Sequence, residues 1–283
     1  MSGLRTLVVG PGRMGQGIAL ALHGAGWPVA LVARSRRPLV APLVLQPGDW
    51  AAAVRAAELV LVATPDAAVP LAAADLASTG AVASNHAVLH LAGPLDRSAL
   101  SALEPTGAAL GSFHPLQTVA DPVTAPARLR NAYAGIEGDA RALAAAERLA
   151  AALGMTAVRI PASAKPLYHA GAVIAANYTV ALAGLAEAVA RDAGVEPEVA
   201  ARMYRPLLAG AVANLEALGP VAALTGPIRR GDAATVRAHL AALPPDARAV
   251  YVSVGRVALA LARTAGLTPA AAERVESALE GGG

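Results

Sequence analysis

A glycine-rich turn near residue 10 constrains the fold of this chain more than any other feature. The stretch from Leu4 to Val9 is a predicted apolar strand, Gly10-Pro11-Gly12-Arg13-Met14-Gly15 follows it, and Gln16 to Ala25 has helical periodicity. The pattern G-x-G-x-x-G between a strand and a helix is typical of dinucleotide binding. Its first glycine makes the turn, the second lets backbone approach a pyrophosphate, and the third lets helix and strand pack closely. We therefore assign cofactor binding to Gly10, Gly12, Arg13, Met14 and Gly15.

The end of the second predicted strand bears on which dinucleotide binds. Pro28 to Ala33 is followed by Arg34-Ser35-Arg36-Arg37, about where NAD-preferring sites place an acidic residue on the ribose. Arginines and a serine at this point suit a 2′-phosphate instead. We therefore predict NADP(H), bound in part by Arg34, Ser35 and Arg36. The alternative is a solvated basic turn in an arginine-rich chain.

Further strands supply more candidates for the nucleotide edge of the sheet. Glu58 to Ala63 ends at Thr64-Pro65-Asp66, where Thr64 is a predicted helix N-cap. Loops at the carboxyl ends of parallel strands line the nucleotide crevice, so Thr64, Pro65 and Asp66 are assigned to the cofactor, although a plain helix cap remains open. Two later strands end in His90-Leu91-Ala92-Gly93 and in His114-Pro115-Leu116-Gln117. Of these residues, His90 and Gly93 are also assigned to the cofactor.

The alternation of strands and helices stops near Pro161, and every later segment has a helical pattern. This predicts an α/β fold, with an N-terminal Rossmann domain of doubly wound parallel sheet followed by an all-α C-terminal domain. We place the NADP-binding domain at residues 1–161. A helical domain for substrate binding and dimerisation is predicted at residues 162–283.

Lys165 is the only lysine in the chain. Arginine holds its proton at any working pH, whereas a partly buried lysine can exchange one, so a proton donor must be Lys. Ser163 is a predicted N-cap and Pro166 suits the first helical turn. Lys165 and His169 then share a helix face, with Asn177 further along. The alternative is a lysine that survives on the surface by chance.

A polar loop, Thr225-Gly226-Pro227-Ile228-Arg229-Arg230-Gly231-Asp232, interrupts the helical part. Arg229 or Arg230 could clamp a substrate carboxylate or phosphate. A plain connection with Asp232 as a helix N-cap explains the same residues.

Composition excludes several classes of function. The formal charge is +3, the arginines are spread along the chain, and aromatic residues are only 3%, which argues against nucleic-acid binding. There is no cysteine, and the six histidines lack metal-ligand spacing, so no metal site is predicted. The uncharged run from Ala170 to Ala186 is predicted to be a buried bundle helix and not a membrane span. Without a signal-peptide pattern, the cytoplasm is the expected location.

These motifs resemble the 6-phosphogluconate dehydrogenase-like superfamily, which includes ketopantoate reductase, β-hydroxyacid dehydrogenases and pyrroline-5-carboxylate reductase. The segments HLAG at 90–93, SFHPLQT at 112–118, KPLYHAGAVIAANY at 165–178 and TGPIRRGD at 225–232 resemble more closely a bacterial family of Rossmann-like predicted oxidoreductases. The C-terminal domain of that family has no settled function. In hydroxyacid and ketopantoate members, a lysine followed four residues later by asparagine handles the substrate oxygen. Here Lys165 matches the lysine, but His169 stands in place of the asparagine.

The resemblance implies an NADP(H)-dependent oxidoreductase that reduces a small, ketopantoate-like oxo acid. In this hypothesis Lys165 donates the proton and His169 orients the substrate oxygen. The substrate is expected to contact His114, Gln117, Asn177, Arg229 and Asp232. The alternatives are an imine reductase and a non-catalytic NADP(H)-binding sensor or partner protein. We also expect a homodimer through the helical domain, because its Ala-rich helices exceed what one small bundle can cover.

Overall fold

A seven-stranded sheet organises the first of two compact units in the computed structural model, which describes residues 3–35, 38–46 and 50–281. The strand order is β2-β1-β3-β4-β5-β6-β7. The strands are β1 (Thr6–Val9), β2 (Val29–Val32), β3 (Leu59–Val62), β4 (Ala87–His90), β5 (Ala109–Pro115), β6 (Tyr133–Gly138) and β7 (Thr156–Arg159). The predicted Rossmann-like α/β fold is therefore confirmed, and each predicted strand is present with shorter or shifted bounds.

The predicted parallel sheet is present, and its last two strands make it a mixed one. Strands β1 to β5 are parallel, but β6 runs antiparallel to β5, and β7 is parallel to β6. A parallel continuation needs a crossover that covers one face of the sheet. The β5–β6 connection contains only a 3-10 turn at Pro122–Thr124 and the short helix Ala125–Leu129, which contacts the first helix, so the chain returns antiparallel.

Thirteen α-helices are described, five of them before residue 161. The first five are α1 (Arg13–Gly24), α2 (Trp50–Ala56), α3 (Val69–Ser78), α4 (Ala125–Leu129) and α5 (Ala140–Leu153). The others are α6 (Lys165–Val173), α7 (Thr179–Asp192), α8 (Pro197–Met203), α9 (Arg205–Ala223), α10 (Gly226–Arg230), α11 (Ala233–Ala242), α12 (Pro245–Thr264) and α13 (Pro269–Glu280). A π-helical segment, Ile174–Tyr178, joins α6 to α7. The all-helical character of the C-terminal part is confirmed.

The first unit spans residues 1–176 and the second spans residues 177–283. The predicted boundary at residue 161 places α6 with the later helices. Instead, α6 belongs to the first unit, because Lys165 and Tyr168 on this helix hydrogen-bond to side chains of β5.

The sheet is buried on both faces, by one apolar cluster around Leu22, Leu61 and Phe113 and another around Val54, Val60 and Leu76. The second unit has a smaller core, formed around Val236, Leu259 and Val275 on α11, α12 and α13.

Helices α7 to α9 lie outside that core. Ala190 is the one buried residue described on α7, and α9 has none. Two stretches, Ala162–Asp192 and Pro197–Arg230, are long and apolar enough to cross a membrane by length and composition alone. The prediction that Ala170 to Ala186 is a buried bundle helix is therefore wrong, because in the described part of the chain these residues are exposed or half-buried.

Candidate active site

The glycine turn after β1 has the geometry that phosphate binding requires. Gly10 has a positive φ of 100°, a conformation that L side chains rarely adopt. A Cβ on Gly15 would lie 2.3 Å from the Gly10 carbonyl oxygen, so only glycine lets α1 begin so close to the turn. Around Gly12, the N-cap of α1, a Cβ would meet nothing within 4 Å. The space beside Gly12 is therefore open at the N-terminus of α1, an end of a helix whose free N–H groups can bind an anion. Arg13 is exposed and Met14 half-buried at this end of the helix.

Thr64 lies in the loop after β3. It is close to the glycine turn, as shown by the distance of 3.1 Å between Thr64 Cγ2 and the position that a Cβ on Gly10 would take. It does not cap a helix as predicted. A 3-10 turn at Asp66–Ala68 precedes α3, and Pro65 occupies the cap position. Thr64 Oγ1 is buried and has no hydrogen-bond partner among the described residues. An unpaired hydroxyl beside the glycine turn fits a ligand that carries hydrogen-bonding groups.

Arg34 has a carboxylate partner, which the sequence did not reveal. Its guanidinium donates from Nε and Nη2 to Oδ2 of Asp75 on α3, at 2.8 and 2.5 Å. Ser35 is exposed beside it, and Arg36 lies outside the described residues. The fold thus brings a carboxylate from α3 to the basic turn at the end of β2, across 41 residues of sequence.

A row of polar side chains crosses three strands at the same edge of the sheet. Strand register pairs His90 on β4 with Ser112 on β5, and Ser112 with Glu137 on β6. All three are buried. His90 Nε2 lies 2.9 Å from the Asp96 carbonyl oxygen, and Glu137 accepts a bond from the Arg97 N–H at 2.8 Å. His90 Nδ1 is buried without a partner among the described residues, which makes this row a polar site inside an apolar sheet.

Lys165 lies over this row and is itself fully buried. Its Nζ donates to Ser112 Oγ at 3.0 Å. Burial lowers the pKa of Lys165 to about 8, against the opposing influence of Glu137, Asp96 and Asp66. The expectation of a helix capped by Ser163 is wrong, because a 3-10 turn at Ala162–Ala164 leads into α6.

Tyr168 and His169 extend the same face of α6 toward β5. Nδ1 of His114 lies 3.0 Å from the Tyr168 hydroxyl, and the His114 ring meets both the Tyr168 and the His169 rings edge-on at 5.6 Å. A Cβ on Gly93 would lie 2.2 Å from His169 Cδ2 and 2.9 Å from His114 Nε2, so this glycine makes room for both imidazoles. His114 and His169 are only half-buried, unlike Lys165.

Burial sets the charge of the two histidines near the carboxyl ends of β4 and β5. It lowers the pKa of His90 to about 4, and the pKa of His114 also to about 4, with the Lys165 charge acting in the same direction. Both rings are therefore neutral near pH 7. Burial also raises the pKa of the Tyr168 hydroxyl, which stays protonated.

Other predicted substrate residues have partners of their own. In the first unit, Gln117 donates to the Arg128 carbonyl oxygen at 2.9 Å and accepts from the Thr118 N–H. In the second unit, Arg229 donates to the Ala265 carbonyl oxygen at 3.1 Å. Asp232 caps α11 through the Thr235 N–H at 3.0 Å, as the plain-loop alternative predicted.

Asn177 lies in the π-helical segment and is exposed. A π turn inserts an extra residue, so the register predicted for Asn177 on an unbroken α-helix does not hold.

Sequence reasoning missed Ser112, Glu137, Asp75 and Tyr168. Ser112 and Glu137 are paired by the antiparallel register of β5 and β6, and this pairing has no local signal in the sequence. The same is true of Asp75, which meets Arg34 across 41 residues. Tyr168 could have been found, because a residue three positions after Lys165 lies on the same helix face. Among the described residues, no group of three or more His, Cys, Asp or Glu side chains could hold a metal ion.

Comparison with known proteins supports the same architecture. Residues 132–258 match a family model described as a domain of unknown function, DUF2520. No curated protein matches the sequence. The crystal structure of protein TM1727 from Thermotoga maritima is 21% identical, with 92% of this chain and 98% of that chain covered and a TM-score of 0.66.

Two further solved structures were determined with a cofactor. Plasmodium falciparum pyrroline carboxylate reductase with NADP bound is 12% identical, with 98% of this chain and 99% of that chain covered and a TM-score of 0.60. A reductive aminase from Aspergillus terreus, in complex with NADPH and ethyl-5-oxohexanoate, is 19% identical, with coverage of 99% and 93% and a TM-score of 0.60. At these identities the likeness establishes that this chain shares their fold.

Proposed function

We propose that this protein is an NADP(H)-dependent reductase acting on a C=O or C=N bond. One observation carries the proposal: the glycine turn and the Lys165–His114–His169 cluster lie at the same edge of one sheet. Strands β1 and β5 are three strand steps apart in the order β1-β3-β4-β5, or roughly 14 Å. An extended dinucleotide with its pyrophosphate at β1 can therefore reach the cluster at β5.

The residues around the turn fit a dinucleotide. Gly12 and the first turn of α1 would hold the pyrophosphate, and Thr64 Oγ1 offers an unpaired hydrogen-bonding group beside it. The described structural neighbours that bind NADP or NADPH support the same cofactor. When bound, NADPH supplies the hydride, and the protein must orient the substrate and provide a proton.

His114 is proposed to hydrogen-bond the substrate atom that gains the proton. We assign the Tyr168 O–H as the donor to His114 Nδ1 at 3.0 Å, with the Gly135 N–H donating to the same Tyr168 oxygen. In a neutral imidazole this leaves the proton on Nε2, the atom close to Gly93. His114 Nε2–H is thus a fixed donor, and His169 faces it across Gly93.

We propose that Lys165 takes part in the proton transfer without contacting the substrate directly. Its pKa of about 8 gives it an exchangeable proton near neutral pH. Its Nζ is buried and bonded to Ser112, whereas His114 and His169 are partly open. We therefore place the histidines against the substrate and Lys165 behind them, as the cation that helps to keep His114 neutral and as the source of the proton that replaces the one His114 gives to the substrate.

The charges around the cluster favour an imine over an oxo acid such as ketopantoate. Glu137, Asp96 and Asp66 surround the single ammonium of Lys165, while His90 and His114 are neutral. A negative site stabilises the positive charge that develops on a neutral imine nitrogen as this nitrogen accepts a proton, and it opposes a substrate carboxylate. Arg229, the predicted partner of that carboxylate, is bonded to Ala265 within the second unit.

NADPH oxidation measured with cyclic imines and with short 2-oxo acids tests this proposal. We expect at least tenfold higher kcat/KM for an imine, and the opposite ranking would favour the oxo-acid alternative. Lys165→Met should lower turnover about 100-fold, in the range of acid–base contributions, with NADPH binding retained. Tight NADPH binding without turnover on either panel would instead support the sensor alternative.

We also propose that the exposed apolar face of α7 to α9, together with the neighbouring part of α12, binds a second copy of the chain. Twelve large apolar side chains of the second unit are between 37% and 73% exposed: Tyr178, Val180, Leu182, Val199, Met203, Leu207, Val212, Leu215, Leu218, Val250, Val254 and Val257. At 60–120 Å² for each fully buried side chain, they offer roughly 500 Å² of apolar area. This is about what the apolar part of one side of a standard dimer interface requires.

A second copy fits this face better than a lipid bilayer. Helix α9 contains Asn214 and Glu216, and its backbone is non-helical at Gly219. In lipid such a break would leave backbone polar groups without partners. Light scattering should give twice the chain mass. A monomer, or a chain that binds phosphatidylcholine vesicles in place of dimerising, would overturn the proposal.

A further inference from the structure

The guanidinium of Arg34, at the end of β2, forms an ion pair with a carboxylate. Two donors of Arg34, Nε and Nη2, share one oxygen of Asp75, at 2.8 and 2.5 Å. Arg34 follows β2 and Asp75 lies on α3, so the fold and not local sequence makes the pair. The two side chains are 51% and 37% exposed, which leaves them accessible to a ligand.

The end of β2 is where a doubly wound sheet distinguishes NAD(H) from NADP(H). An arginine there binds the 2′-phosphate through its N–H groups, as it binds a carboxylate. Asp75 therefore engages donors that the 2′-phosphate would use. A ribose 2′-hydroxyl carries no charge and does not compete for the same guanidinium edge.

We propose that Asp75 is a specificity-determining residue for the cofactor. Its carboxylate competes with the 2′-phosphate for Arg34 and thereby weakens the preference for NADP(H) over NAD(H). This inference rests on the proposed function, because it needs a dinucleotide on the glycine turn.

The competition has two parts that act in the same direction. The phosphate must break an existing ion pair, which is a weak interaction because solvent screens it. Once displaced, Asp75 remains a negative charge close to a phosphate that carries between one and two negative charges near pH 7. Both parts penalise NADP(H), and neither affects the 2′-hydroxyl of NAD(H).

Asp75→Asn tests this mechanism, because the amide keeps the shape of the side chain and removes its charge. We expect the Kd of 2′,5′-ADP and of NADPH to fall about 3- to 10-fold at low salt. The Kd of 5′-AMP and of NADH should change less than about twofold. In an Arg34→Gln background, Asp75→Asn should have a clearly smaller effect, since the contested donors are gone and only the repulsion between Asp75 and the phosphate remains.

Glu276→Gln is the matched control. It breaks the Arg263–Glu276 pair of the second unit, which spans 2.6 Å with both side chains 46% exposed. This variant should leave nucleotide binding unchanged.

Unchanged or weaker binding of 2′,5′-ADP by Asp75→Asn would overturn the inference alone, provided that the wild type binds NADPH. The same gain in the Arg34→Gln background would also overturn it. A wild-type chain that binds neither dinucleotide would overturn the proposed function, and this inference with it.

Discussion

The two units contain the same pair of side chains in nearly the same geometry. Tyr168 and His114 of the first unit have ring centroids 5.6 Å apart and an oxygen–nitrogen distance of 3.0 Å. Tyr251 and His239 of the second unit have centroids 5.7 Å apart and a distance of 2.9 Å. The surroundings differ, because His114 lies beside Gly93 and near a buried lysine, whereas His239 is exposed on α11. A Tyr–His hydrogen bond alone therefore does not mark a candidate active site. The buried lysine beside the Tyr168–His114 pair distinguishes it from the Tyr251–His239 pair.

The two units also differ in how far they bury their apolar side chains. In the first unit they cover both faces of the sheet, so this part of the chain supplies its own core. In the second unit the core involves α10 to α13, while α9 has no buried residue. The first unit covers its apolar surface within one chain, whereas the second unit leaves a large apolar surface exposed, which is typical of an interaction site.

The largest expected effect comes from charging the uncovered helix. Leu207 and Leu218 are eleven residues apart on α9 and therefore lie within about 20° of each other around the axis. The double variant Leu207→Glu/Leu218→Glu should weaken dimerisation at least 100-fold, because each copy loses two apolar contacts of about 1.5 kcal/mol or more. Sedimentation velocity across a concentration series measures this. Val123→Glu, at an exposed valine of the first unit, should leave the mass unchanged, and an undiminished dimer in the α9 variant would contradict the account.

A second pair of variants tests the close approach at the glycine turn. Gly15→Ala should destabilise the first unit by about 3 kcal/mol, since its Cβ would lie 2.3 Å from a backbone oxygen. Gly12→Ala, where a Cβ meets nothing within 4 Å, should change the free energy of unfolding by less than about 0.5 kcal/mol. Urea unfolding followed by circular dichroism distinguishes the two. Equal stability of the two variants would mean that α1 does not start as described.

Acid should destabilise the first unit through its buried histidines. The pKa of His90 falls from 6.5 to about 4 on folding, so between these values the unfolded chain binds more protons. The free energy of unfolding should therefore fall as the pH falls from 6.5 toward 4, by on the order of 3 kcal/mol for this residue. Thermal unfolding against pH should show a shallower slope for His90→Asn. The exposed His23→Asn is the control, and an unchanged slope for His90→Asn would contradict the burial argument.

Removing one hydroxyl compares the matched tyrosines directly. Tyr168→Phe should lower kcat at least tenfold, because His114 then loses the partner that fixes its tautomer. NADPH affinity should change less than about twofold. Tyr251→Phe breaks the equivalent bond to His239 and should leave kcat unchanged. Equal losses in the two variants would mean that Tyr168 contributes only to stability.

The smallest expected effect concerns helix caps. Asp139 caps α5 of the first unit and Asp232 caps α11 of the second, each through backbone N–H groups. Each change to Ala should cost about 1 kcal/mol. Hydrogen exchange read by mass spectrometry should show the loss only in the unit that carries the change. A loss shared by both units would mean that they unfold together.

Local patterns in the sequence predicted much of the fold but only part of the site. The glycine turn, the strands and the helical second half depend on neighbouring residues, so they could be read directly. Lys165 could be singled out as a candidate from the sequence, because it is the only lysine and can exchange a proton. Its burial over Ser112 and Glu137 could not be predicted, because it depends on an antiparallel strand for which the sequence has no motif. Likewise, Arg34 indicated a phosphate, while its carboxylate partner came from a helix far along the chain.

The most direct test of the central claim is a fluorescence titration of NADPH into the wild type and into Gly12→Val. The account predicts saturable NADPH binding by the wild type and at least 100-fold weaker binding by Gly12→Val. The variant should keep its fold, because a Cβ at Gly12 meets nothing within 4 Å and the extended backbone of Gly12 suits valine. A wild type without affinity for NADPH, or a variant that binds it equally well, would contradict the claim that this turn is a dinucleotide site.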